Sequence, residues 1–191
     1  MRGALVLSLL LCSGAAFAAP PVKAPAAPKP VKAESEEQLF AQLKQCGSAE
    51  DAHPIEGKLQ AMFRASNSPS VDLLMTRALA AQGAGDAKTA RQLAEAITNI
   101  APNFAEGWHM RANLEQGADD DTAALVSLQK TVLLNPREFA ALSELGDMLQ
   151  DYGDKAGALK LYRRALDLDP QLDGAASKVR ELTQSVEGRD I

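Results

Sequence analysis

The chain has 191 residues, 46% of them apolar but with only one Trp, two Tyr and five Phe, and a formal net charge of −5. That length supports a sizeable buried core. The acidic balance repels phosphate, so no nucleic-acid partner is expected.

Residues 1–18 have the make-up of a secretory signal. Arg2 is the positive end, Ala4 to Leu11 the apolar stretch, and Ala16-Phe17-Ala18 an A-x-A site, which predicts cleavage between Ala18 and Ala19. The apolar stretch falls short of the ~20 residues that span a bilayer. No stable membrane insertion is therefore expected after cleavage. Leu11 stands where a lipoprotein needs a small residue before Cys12. A periplasmic or otherwise secreted protein is the expectation.

Residues 19–33 read APPVKAPAAPKPVKA, with three lysines and no acid. Such a segment favours polyproline II, rising about 3.1 Å per residue, and reads as a tether. Residues 34–70 follow with two helical patterns, marked by Leu39, Phe40 and Leu43, then by Ile55, Leu59, Met62 and Phe63. Ser48 is placed to cap the second, and Pro54 to kink or restart it. The pair is expected to cover the first of the units that follow. Cys46, alone once the signal is removed, is expected to be buried there.

From residue 71 the chain repeats every 34 residues. Pro102, Pro136 and Pro170 stand on that spacing, as do Asp86, Asp120 and Asp154, and Ala90, Ala124 and Ala158. Leu74, Trp108 and Leu142 recur too, as do Ala78, Ala112 and Gly146. A fixed period of this length signals stacked units that bury their apolar faces against one another. Within 71–104, Leu74, Ala78 and Ala81 mark one helix, Gly83-Ala84-Gly85 ends it, and Asp86 caps a second helix whose inward stripe is Ala90, Ala94 and Ile97. Pro102 closes the unit. Units 105–138 and 139–172 repeat the plan, with Gly117 and Asp120, then Gly153 and Asp154. The small residues let paired helices approach to the short end of the usual 8–10 Å. Residues 173–191 supply a capping helix through Ala176, Val179 and Leu182, with Leu172 just before it, and a frayed tail.

These residues resemble the tetratricopeptide repeat (TPR) family. The third unit carries the pattern most fully, with Leu142, Leu145, Gly146, Leu149, Gly153, Ala158, Tyr162, Ala165 and Pro170. Departures are Arg77 and Arg111 where the family usually has Leu, and Glu115 in place of its Tyr. The resemblance implies an all-α, right-handed superhelical solenoid of three helix-turn-helix units. It also implies a concave groove lined by the first helices, which takes peptides. On helical spacing the groove residues are Asp72, Met75, Leu79 and Gln82, then Glu106, His109, Asn113 and Gln116, then Ala140, Ser143, Asp147 and Gln150. Gln82, Gln116 and Gln150 keep the 34-residue period, and their amides suit an extended backbone. Trp108 is expected to pack inward and His109, about 100° away, to face out.

No H-E-x-x-H, C-x-x-C, G-x-S-x-G or phosphate-cradling loop is present. Asp119-Asp120-Asp121 lacks the alternation and glycine of a calcium loop. The expectation is a non-catalytic scaffold with no cofactor or metal that binds a protein or peptide, resembling small periplasmic TPR proteins of Gram-negative bacteria. Alternatives are a self-assembling repeat protein, hence a homo-oligomer, or an accessory subunit of an envelope enzyme.

Overall fold

The computed structural model describes residues 34–188. The expected signal, cleavage site and proline-rich segment, and the last three residues of the tail, lie outside the described residues. Among the described residues the chain is all-α: α1 (Glu36–Leu43), α2 (Ala49–Phe63), α3 (Pro69–Gly83), α4 (Ala87–Ile100), α5 (Ala105–Gln116), α6 (Asp121–Leu134), α7 (Phe139–Asp151), α8 (Lys155–Leu168) and α9 (Ala175–Glu187).

Local chemistry sets the helix starts. Ser35 and Gln38 form a reciprocal capping box on α1, and Ser48 caps α2 through the Asp51 N–H. Pro54 stays inside a continuous α2. Asp86, Asp120 and Asp154 each accept a backbone N–H three residues on, from Thr89, Ala123 and Gly157. The turns before them share one left-handed position: Gly85, Asp119 and Gly153 have φ of +76°, +59° and +87°. Glycine fills it twice without penalty, and Asp tolerates it in the middle unit.

Each α3–α4, α5–α6 and α7–α8 hairpin packs on the next to form a solenoid. Ala78, Ala90, Ala112, Ala124 and Ala158 are fully buried. Gly146 lies under the Tyr162 ring. One core joins Val71, Met75, Ala94 and Ile97 to Met110 and Leu114. A second joins Leu128 to Leu145 and Met148. α9 closes the far end with Leu182 against Leu159 and Tyr162. On α9 it is Ala175 that is buried, whereas Ala176 is exposed.

The N-terminal pair departs from expectation. Its apolar cluster, Leu39, Phe40, Leu43, Ala52 and Leu59, packs with Phe139, Ala140, Leu168 and Leu172 of the third unit, not over the first. Arg137 fixes this placement: its guanidinium lies 4.0 Å over the Phe40 ring and 2.8 Å from Glu36. Leu172 is thereby drawn away from α9. Phe139 and Leu168 offer an apolar end that neighbouring repeats leave uncovered, and the pair's own stripe buries against it. Cys46, in the α1–α2 turn, is half-buried rather than buried, with its thiol donating to the Gln42 carbonyl.

Candidate functional site

α5 is the middle first helix, and its buried residues lie all round it: Gly107, His109, Met110, Ala112, Leu114 and Glu115. This all-round burial overturns the expected orientation of Trp108 and His109. His109 is 9% exposed, while Trp108 is half-buried, its indole N–H donating to the Pro102 carbonyl at 2.9 Å. Indole keeps its polar edge satisfied and its body partly wet. His109 turns into the concave side, where α7 meets it.

There His109 Nε2 lies 2.9 Å from a Glu144 carboxylate oxygen and Nδ1 lies 3.5 Å from Glu106. Burial works against the imidazolium, but hydrogen bonds to Glu106 and Glu144 outweigh it and raise its pKa to about 10. Glu138, 2% exposed at the start of α7, is pushed up to about 7 by burial. His109 opposes that shift, and the Glu106 and Glu144 charges reinforce it. These groups floor a cavity of about 240 Å³ whose walls include Leu79 and Gln82 of α3, Met110 and Asn113 of α5, and Gln60 and Arg64 of α2. The cavity offers amide donors and acceptors, short apolar surfaces and an anionic floor held around one imidazolium. That suits binding of a polar chain.

Of the expected groove residues, Leu79, Gln82, Glu106, His109, Asn113 and Ala140 come together in this cavity. The others have different surroundings. Met75 is buried in the first core. Asp72 accepts the Ser66 N–H and O–H and so shapes the α2–α3 turn. Asp147 accepts from Tyr162 Oη at 2.5 Å and from Lys178 of α9. Gln150 Oε1 also faces Tyr162 Oη, at 3.4 Å. Gln116 and Ser143 are half-buried outside the cavity. The three glutamines thus keep their period but not a common environment.

Gln60, Arg64, Glu138 and Glu144 escaped the sequence reading. The first two belong to a helix with no repeat signature. Glu144 is displaced by one residue from the groove positions, and Glu138 ends its unit. Glu115 gains a role as well. Its carboxylate accepts the buried Ser127 O–H at 2.6 Å and Arg111 Nε at 2.6 Å, and the Arg111 guanidinium stacks 5.4 Å from the Trp108 ring centre. A polar network therefore fills the space given to Leu and Tyr in the family pattern. Among the described residues, no group of three His, Cys, Asp or Glu is placed to hold a metal, and no helix is long and apolar enough to cross a membrane.

The tetratricopeptide repeat family pattern matches residues 139–172. A TPR repeat-containing protein of Rhizobium etli is 27% identical over 152 residues, covering 80% of this chain and 74% of the relative. The first TPR domain of Spaghetti, solved with an HSP90 peptide, superposes with a TM-score of 0.56 at 20% identity, over 61% of this chain and 93% of that one. The Yersinia enterocolitica type III secretion chaperone SycD, solved with a peptide of the translocator YopD, gives 0.55 at 14% identity, over 62% and 95%. Residues 139–172 thus match a tetratricopeptide repeat, and with the two copies in register before them the chain takes the hairpin-solenoid fold of that family's solved structures.

Proposed function

We propose that the protein is a non-catalytic interaction scaffold of the bacterial periplasm that takes a peptide or partner protein through its concave face, in assembly or maintenance of the envelope. The groove cavity carries this reading: Gln82 and Asn113 present amides beside Leu79 and Met110, over the His109–Glu144 pair. Peptides bound to Spaghetti and SycD support a protein partner. Arg2, the apolar run and Ala16-Phe17-Ala18 support export.

Crosslinked pull-down from the native envelope tests the groove. Gln82→Ala combined with Asn113→Ala should weaken recovery of the partner with an unchanged helical spectrum. A single change removes only about 0.5–1.5 kcal/mol per hydrogen bond, which is why two are combined. Recovery that survives the double change but is lost on deleting residues 19–33 would assign binding to the proline-rich arm. Intact mass of the exported protein tests cleavage, and a chain retaining Met1 overturns it.

Self-assembly is the second reading. Val126 and Leu133 are 58% and 74% exposed and join Trp108 and Pro102 in an apolar hollow on the side away from the groove. Light scattering over a concentration series distinguishes a monomer from an assembly.

A further inference from the structure

α2 is anchored at both ends of the repeat stack. Toward its start, His53 Nε2 lies 3.6 Å from Asp173, in the turn between α8 and α9. Glu56 lies beside Asp169, at the end of α8, close enough for the two carboxyl groups to share a hydrogen bond once one of them is protonated. Ala52, Ile55 and Leu59 pack in the same cluster as Phe139 and Leu168. Past its other end, Ser66 is bonded to Asp72 of α3, in the first unit. A 15-residue helix spans about 22 Å. α2 therefore crosses from the third unit to the first on the concave side, and Gln60 and Arg64 wall the groove cavity.

We propose that α2 is a strap across the groove, latched to the third unit by a proton shared between Glu56 and Asp169, and that losing the proton loosens it. Asp169 is fully buried. Its Oδ1 accepts the Gln171 N–H at 3.0 Å, while its buried Oδ2 receives no donor from an unprotonated neighbour. With Glu56 protonated, a donor exists and the buried oxygen is satisfied. With both ionised, two like charges meet across the α2–α8 contact. Burial, then the Asp169 charge and hydrogen bond, raise Glu56 to about 7. His53 opposes that shift and Asp173 adds to it. Asp51, in the first turn of α2, and the Cys46 thiol also lie within electrostatic reach of this corner.

Glu56 binds its proton more tightly in the latched state than its ordinary value of 4.5 provides. Latching is therefore favoured most below about 4.5, weakens as pH rises to about 7, and stays weak above. The apolar cluster and the Arg137–Glu36 pair remain, so the strap loosens rather than separates.

The functional meaning of the strap rests on the groove being the binding face. The test needs no partner, so the two ideas fail separately. Hydrogen exchange on the full mature chain, corrected for intrinsic rates, is measured at about pH 5.5 and about pH 8. Amides of residues 36–63 should lose about tenfold or more of their protection relative to α7 and α8 on going to the higher pH. Glu56→Gln and Asp169→Asn each place an amide donor against a carboxylate at every pH, and Asn keeps the acceptor for Gln171. In either variant, provided it shows the native helical spectrum, the pH step should vanish. Equal relative protection of 36–63 at both pH values in the wild type, or the wild-type step persisting in a folded variant, overturns the proposal.

Discussion

Gly146 lies under the Tyr162 ring so closely that a Cβ there would stand 2.9 Å from Cε1. Tyr162 is fully buried and its hydroxyl is tied to Asp147, so the ring has little freedom to move aside. Gly146→Ala should therefore lower the melting temperature, although alanine favours a helix interior by up to about 1 kcal/mol. Overpacking of this kind costs about 1–3 kcal/mol. A raised melt would show that the ring yields.

His109 gives stability a defined pH dependence. Its folded pKa, about 10, stands above the ordinary 6.5, so its contribution is complete below about 6.5 and is lost as pH rises to about 10. Glu138, raised from 4.5 to about 7, contributes most in acid and fades over that lower range. Chemical denaturation across pH should thus show stability falling from about 5 to about 10. His109→Gln should flatten the alkaline part and cost about 3 kcal/mol near neutrality, because Glu144 and Glu106 lose their buried partner. An unchanged alkaline slope would place the dependence elsewhere.

Asp119 occupies, at φ +59°, the turn position held by Gly85 and Gly153 in the neighbouring units. The neighbouring Asp120, not Asp119, caps α6. Asp119→Gly should relieve strain and stabilise by roughly 0.5 kcal/mol, read as a higher denaturation midpoint. A clear loss would reveal a contact made by the Asp119 side chain.

Glu115 and Ser127 act as a pair. Either one changed to alanine leaves a buried polar atom without its partner, at about 1–3 kcal/mol. The double change removes both groups, so its cost should fall short of the sum of the singles by about 1 kcal/mol in a double-mutant cycle. Strict additivity would mean that the bond contributes nothing to stability.

The 34-residue period, the three aspartate caps and the small residues at 78, 112, 146, 90, 124 and 158 were legible in the chain because each follows from neighbours within one or two helical turns. A cap needs an oxygen beside free N–H groups, and a close helix contact needs a missing side chain. Neither depends on remote residues. The position of α1–α2 was decided elsewhere. Phe139, Leu168 and Arg137 lie about a hundred residues from the helices they hold, and nothing local distinguishes covering the first unit from covering the third. That choice of end, together with α5's burial all round, determines the groove. His109 is buried where exposure was expected, Trp108 is only half-buried, and Gln60 and Arg64 become walls. Asp147 and Gln150 are drawn to Tyr162, with Lys178 of the last helix joining Asp147. Sequence period determined which faces repeat; only tertiary contact decided which repeats stay open, because burial depends on what the rest of the chain brings to each face.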